Sequence, residues 1–329
     1  AFHADQDIHR IVAAEVFGAQ SARFLEATPF GGAAGASFRL VYEVDGQRRL
    51  LFIKLPAERG ARHALIGARL REEYRLSDLV QRNFPATAQL QTVTPAGFVE
   101  ALQGFASWAV AGDSLEAQLR RRCLPWAGDF GAATAWCRQA GEWLSLFHRL
   151  PSPYEPADLR SLLDTYYDDR LVTLAQLPHS GVSQTLAATL KSSLMTLVDS
   201  ALARTPVVLC HNDYSPHNML VDGNRLCVLD YSFAGPGLPV FDVACFWHKL
   251  ADLKDSALLS NRRVARLQQA FLDGSGAGFD PSTPAVRLGL ARLVLSKMIT
   301  VLKDPAQRVD RRHAQRRRYR AWLAWLVAL

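Results

Sequence analysis

One stretch, residues 206–244, restricts the possible folds of this 329-residue chain more than any other. An apolar run, Val207–Leu209, ends at His211-Asn212-Asp213, and Asn218 follows five residues after that Asp. Two short apolar strands come next, Met219–Val221 and Leu226–Leu229, joined by Asp222-Gly223-Asn224, a composition that suits a tight hairpin. The second strand delivers Asp230. A lone His-x-Asp, or a lone Leu-Asp after a strand, arises by chance in many sequences. The full order of acid, Asn, hairpin and second acid is hard to explain as turn chemistry. It is the order that phosphoryl transfer from a metal-bound nucleotide needs: Asp213 to accept the proton of an attacking hydroxyl, and Asn218 and Asp230 to hold Mg2+.

Upstream, a loop of small residues, Phe30-Gly31-Gly32-Ala33-Ala34-Gly35-Ala36-Ser37, leads into a strand at Phe38–Val44, an Asp45-Gly46 turn and a strand at Leu50–Leu55. Small side chains at Gly32, Ala33 and Ser37 let backbone N–H groups approach phosphate oxygens, and an ammonium on the adjoining strand, Lys54, neutralises them. Any Gly-rich hairpin shares part of this pattern, which is neither a Walker loop nor a full glycine loop. From Ala61 to Asn83 the apolar residues recur with helical period. Periodicity leaves two acids open as the partner of Lys54: Glu72 shares a face with Leu76 and Leu79, and Glu73 with Leu76 and Val80.

These motifs together resemble the aminoglycoside phosphotransferase and choline kinase branch of the protein-kinase-like superfamily. Protein kinases carry His-Arg-Asp, then Asp-Phe-Gly and a long activation segment. Here Asn212 stands in place of that Arg, Tyr231-Ser232 follows Asp230, and only Ala234–Pro239 separates this region from Val240-Phe241-Asp242. A phosphorylation-switched activation loop has no room. The resemblance implies an α+β, two-lobed protein-kinase-like fold, with a nucleotide-clamping N-lobe at 1–110, built of an antiparallel sheet plus a helix. A larger, mostly helical C-lobe at 111–329 would carry the catalytic loop and the acceptor site. It also implies ATP or GTP as donor, a small-molecule hydroxyl as acceptor, and adenine recognition by the backbone around Trp108 and Val110. The family's Glu-x-x-Leu rhythm favours Glu73 as the partner of Lys54. His211 would brace the loop, and Asp242 would sit beneath it, accepting backbone N–H groups.

The remainder reads as helices: one capped by Asp129 with Trp136, Ala140, Trp143, Leu144 and Phe147 in one stripe, then 158–176, 184–203, 242–254, 260–273 and 284–303. Strands are expected at Gly97–Leu102 and Phe105–Val110, and Tyr214 is close enough in sequence to Asp213 to line the acceptor site. The net charge of +7 gathers near the C-terminus, at Arg308, Arg311, Arg312, Arg316, Arg317, Arg318 and Arg320. A solvated helix face is the commonest use of such a run, and contact with a phosphate, an anionic glycan, a nucleic acid or, weakly, a membrane surface is the alternative. No nucleic-acid-binding motif accompanies it, so no nucleic-acid partner is expected. Aminoglycosides are polycations, which a basic C-terminal part does not suit. Asp164, Asp168 and Asp169 offer an acidic wall for them, while a neutral or anionic sugar fits the charge better.

The five cysteines are scattered in apolar sequence, as expected of buried free thiols in a reducing compartment. No signal-peptide pattern and no apolar run of membrane-spanning length is read, so the cytoplasm is the expected location. The competing expectation is a non-catalytic pseudokinase acting as a nucleotide- or partner-binding module. Decayed kinases usually lack one of the key groups, whereas Lys54, an available Glu, Asp213, Asn218 and Asp230 are all present.

Overall fold

The structure, a computed structural model, describes residues 5–18, 22–30, 36–56, 61–124, 129–152, 154–256, 260–303 and 309–329. The chain divides into two compact units: unit 1 comprises Ala1–Leu150 and Ser215–Ala234, and unit 2 comprises Pro151–Tyr214 and Gly235–Leu329. The chain passes between them inside the 211–218 loop.

In unit 1, α1 (Asp5–Val12) runs into a π-helical turn, Ala13–Phe17, and is followed by β1 (Ala22–Phe30), β2 (Ala36–Val44) and β3 (Gln47–Leu55). Then come α2 (Ala61–Asn83), β4 (Leu90–Thr92), β5 (Pro95–Val99), β6 (Gly104–Trp108), β7 (Asp113–Ser114), α3 (Leu115–Arg122) and α4 (Phe130–Phe147). Unit 2 begins with α5 (Pro156–Gln176), α6 (Gln184–Leu202) and β8 (Val208–Cys210). The chain returns to unit 1 for β9 (Met219–Asp222) and β10 (Arg225–Val228), and closes in unit 2 with β11 (Gly235–Gly237), α7 (Pro239–Ser256), α8 (Asn261–Ser275), α9 (Pro284–Lys303) and α10 (Val309–Val327).

The main sheet of unit 1 has the order β1-β2-β3-β6-β5 and is antiparallel throughout. Asp45 and Gly46 both take positive φ, 51° and 74°, which the tight β2–β3 turn requires and which Asp and Gly tolerate best. Period-two alternation buries Leu51, Ile53 and Leu55 against Val12 and Phe17, and so turns Lys54 to the opposite face. A second sheet has the order β4-β10-β9-β7. The β9–β10 hairpin turns at Gly223, at φ 59°, and α4 pins it. Trp136 Nε1 donates to the Gly223 carbonyl at 2.9 Å, Gln139 Nε2 to the Asn224 carbonyl at 2.7 Å, and Trp143 Nε1 to Gln91 on β4 at 2.9 Å.

Some sequence expectations shift. The strand expected at Gly97–Leu102 stops at Val99, and Glu100–Leu102 form a 3-10 turn that ends on Gln103 at φ 50°. Ala22–Phe30, for which no strand was expected, form an edge strand whose alternation is broken by a bulge between Phe24 and Glu26.

The core of unit 2 lies between α5, α6 and α9, filled by Leu163, Tyr167, Leu171, Leu190, Leu194, Leu295 and Met298. Tyr319 and Leu326 of α10 are buried in this core, and the Tyr319 hydroxyl donates to the Ser180 carbonyl at 2.6 Å. The apolar face of the C-terminal helix is therefore taken up by the protein itself. Of its arginines, Arg317 and Arg320 are exposed, while Arg308 and the side chains of Arg311, Arg312, Arg316 and Arg318 lie outside the described residues. All five cysteines are buried thiols. Among the described residues, no helix is long and apolar enough to cross a membrane.

Candidate active site

Within unit 1 the structure gathers three of the charged residues singled out by the sequence. Lys54 Nζ lies 2.6 Å from Glu73 Oε1 and 2.9 Å from Asp230 Oδ1. The choice between Glu72 and Glu73 is made by burial. Leu70, Glu73, Leu76, Ser77 and Val80 form the buried stripe of α2, whereas Glu72 points outward and pairs with Arg75 at 2.7 Å. Glu73 is only 2 % exposed, and burial, reinforced by the negative charge of Asp230, outweighs the pull of Lys54 and moves its carboxyl up to about 7. Asp230 goes the other way. Burial alone would raise it, but the Lys54 ammonium and the Ser232 hydroxyl and N–H hold it down to about 2. Lys54 itself is raised: desolvation opposes its charge, and the two carboxylates more than compensate.

Asp230 sits in a left-handed conformation at φ 64°, a region that a non-Gly residue occupies only when its surroundings fix it there. Lys54 and the Ser232 Oγ, at 2.6 Å, supply that fixation. Asn218 closes a short 3-10 turn, Pro216–Asn218, is 6 % exposed, and accepts the Leu229 N–H on its carbonyl at 2.9 Å. The loop carrying Asn218 is thereby tied to the residue just before Asp230. An ionised carboxylate and a carboxamide are hard oxygen donors of the kind Mg2+ takes, so the residues present fit that ion.

In unit 2, Asp242 is fully buried and accepts two backbone N–H groups, His211 at 2.8 Å and Asn212 at 2.7 Å. The bonds hold Asn212 at φ 61° and set the half-buried Asp213 at the start of the following turn. His211 is buried, with its ring edge-on to Tyr214 at 5.7 Å. Tyr214 does not line an open site. It is fully buried in an aromatic cluster with Phe246 and Phe271, because the apolar faces of α7 and α8 meet there.

Gly32 and Ala33 lie outside the described residues. Ser37 stands directly opposite Lys54 in the β2–β3 register. Trp108 ends β6, packed edge-on to Phe17, and its N–H bonds the Thr94 carbonyl at 2.9 Å. After it, the backbones of Val110 and Ala111 make no hydrogen bond among the described residues. Gly112 follows at φ 129°, where a Cβ would come within 2.7 Å of the Val221 carbonyl oxygen, so only glycine fits. A cavity of about 250 Å3 adjoins this segment, lined by Trp108–Ala111, Gln91, Thr94, Leu220 and Cys227.

The sequence reading missed two parts of the site. Ser232, two residues beyond Asp230, was legible in principle as a side chain able to cap that carboxylate. Arg292 was not. It comes from α9, eighty positions from Asn212, and donates to the Asn212 Oδ1 at 3.3 Å.

An antiparallel sheet with one crossing helix, a Lys–Glu pair and a hairpin-borne Asp define the protein-kinase-like fold class. The chain belongs to the phosphotransferase enzyme family, whose sequence model matches residues 29–287. Solved structures agree on the fold. A putative aminoglycoside phosphotransferase from Ralstonia eutropha JMP134 is 14% identical with a TM-score of 0.60, covering 98% of this chain and 97% of its own. The streptomycin–ATP complex of APH(2″)-IIa is 12% identical with a TM-score of 0.58, covering 100% and 98%. The choline kinase LicA from Streptococcus pneumoniae is 12% identical with a TM-score of 0.56, covering 100% of both chains. No curated protein is matched at the sequence level.

Proposed function

We propose that this protein transfers the γ-phosphoryl group of ATP to a hydroxyl of a small molecule. The observation that carries the reading is the Lys54 ammonium held between a buried Glu73 and an ionised Asp230. A cation fixed in that way neutralises phosphate oxygens without reorganising, which is how charge development is stabilised in phosphoryl transfer. Residues 1–110 form the nucleotide-clamping lobe, and 111–329 carry the catalytic loop and acceptor site. The 31–37 loop covers the phosphates through the backbone at Gly32, Ala33 and Ser37. The unbonded backbone edge at Val110, beside Trp108, receives the adenine. Asn218 and Asp230 hold Mg2+, which when bound offsets charge on the transferring group.

Asp213 orients the acceptor hydroxyl and takes its proton. A carboxylate is a weak base towards an alcohol, but in a loose transition state the proton leaves late, so positioning outweighs basicity. Asp242 and His211 keep the loop in register for that task. A relative with the same fold binds ATP and streptomycin together, which supports ATP as donor; GTP is the second donor to test.

The test is Mg2+-dependent ADP release with a panel of sugars, amines and aminoglycosides. Asp213→Ala is expected to lower turnover by about 10²–10⁴-fold while sparing nucleotide binding. Unchanged turnover in that variant sinks the assignment of the base. Asp230→Asn is expected to weaken Mg2+-dependent nucleotide binding as well.

A further inference from the structure

Unit 2 treats its charged side chains in two ways. Some are paired locally. Lys191 lies 3.4 Å from Asp164 and 2.8 Å from Asp168, Lys297 lies 2.7 Å from Asp252, and Arg160 lies 2.7 Å from Asp199. The acidic wall that a polycation would need is therefore largely taken: two of its three carboxylates already hold a lysine.

Arg170 and Arg292 are different. Both are half-buried, and neither has a carboxylate partner among the described residues. Their guanidinium carbons lie 5.1 Å and 5.4 Å from the centre of the same ring, Tyr166. The Tyr166 hydroxyl is tied to Ser296 at 2.8 Å and to the Arg292 carbonyl at 3.2 Å, which fixes the ring between α5 and α9. Arg292 also lies 4.2 Å from the centre of Phe241, and its buried Nε has no hydrogen-bond partner among the described residues. Among the described residues, its guanidinium bonds only the neutral Asn212 side chain, on the residue just before Asp213.

Bringing two like charges to one ring, with part of one desolvated and, among the described residues, no carboxylate paired to either, is unfavourable on its own. Ring faces return only part of the cost. An oxyanion with two or three oxygens would complete the arrangement, because guanidinium groups match carboxylate and phosphate geometry. Arg292 bonds the residue just before Asp213, so an anion bound there would be part of the acceptor.

We propose that the acceptor carries a carboxylate or phosphate group in addition to its reacting hydroxyl, and that Arg292 and Arg170, on the Tyr166 ring, bind this anion. The proposal rests on the phosphotransferase reading for the word acceptor, but its binding chemistry is tested separately.

The experiment is calorimetric titration of the full chain with D-glucuronate, D-glucose 6-phosphate, D-glucose and D-glucosamine, on wild type and on Arg170→Gln, Arg292→Gln and Arg292→Lys. At least one anion is expected to bind tenfold or more tighter than glucose, and the two probes separate carboxylate from phosphate. Each Gln variant is expected to remove about tenfold of that preference, with Arg292→Lys retaining part of it. In turnover, the loss appears in KM for an anionic acceptor rather than equally in kcat for all acceptors. A bracing role for Arg292 alone predicts the uniform kcat loss and no effect of Arg170→Gln, which forms no hydrogen bond or ion pair with the loop. The proposal is overturned if glucosamine binds as well as the anions, if no anion is preferred over glucose, or if the Gln variants leave the preference intact. MgATP titration of the wild type judges the phosphotransferase reading by itself: absent nucleotide binding defeats that reading, whatever the anions do.

Discussion

Replacing Lys54 with Met removes the ammonium while keeping most of the side-chain volume, and the consequence for stability depends on pH in a calculable way. Glu73 is held at about 7 in the folded state against an ordinary 4.5. Because the folded value is the higher one, the folded state binds the extra proton: the stability this lends is full below 4.5 and is lost as pH rises to 7. In wild type the loss stops there, since above 7 the carboxylate ionises against Lys54. In Lys54→Met there is no cation to ionise against. The carboxyl keeps its proton, and stability continues to fall by about 1.4 kcal/mol per pH unit.

Asp230 behaves oppositely, being depressed to about 2, so its pairing contributes at every pH above its ordinary 3.8. It is 36% exposed, and after solvent screening its share is about 1 kcal/mol. The expected destabilisation of Lys54→Met is therefore about 1 kcal/mol at pH 6 and about 2.5 kcal/mol at pH 8. Urea unfolding at both values measures it, with the unfolding slope checked for constancy. Adding Glu73→Gln should abolish the growth with pH. Equal destabilisation at pH 6 and pH 8 would refute the reasoning, because it would mean that burial does not keep the Glu73 carboxyl protonated once Lys54 is gone.

Two further outcomes test the scaffold. Asp242→Ala leaves the His211 and Asn212 N–H groups without their acceptor and is expected to cost about 3 kcal/mol, with activity lost alongside; a thermal midpoint within a degree of wild type would contradict it. Tyr319→Phe removes the buried bond to the Ser180 carbonyl and is expected to cost about 1–2 kcal/mol by denaturant unfolding, and no change would mean that α10 is not a working part of the unit 2 core.

The order Asp213, Asn218, hairpin, Asp230 was readable because it lies on one contiguous segment, where spacing and turn chemistry act locally. Helices α4, α5, α6 and α9 were readable for the same reason, because helical signals are local, with Asp129 capping α4 through the Ala132 N–H at 3.1 Å. The strands β4 and β7, three and two residues long, were not, because nothing in so short a run specifies a strand until β10 and β9 offer hydrogen bonds. Tertiary structure alone decided the rest. Two adjacent acids at 72 and 73 are equivalent to periodicity, and only the packing of α2 against the sheet makes one the partner of a lysine and leaves the other in solvent. Lys54 and Asp230 are 176 positions apart, and Arg292 is 80 from Asn212. No local signal records such meetings, because their energy comes from burial and charge in the folded chain.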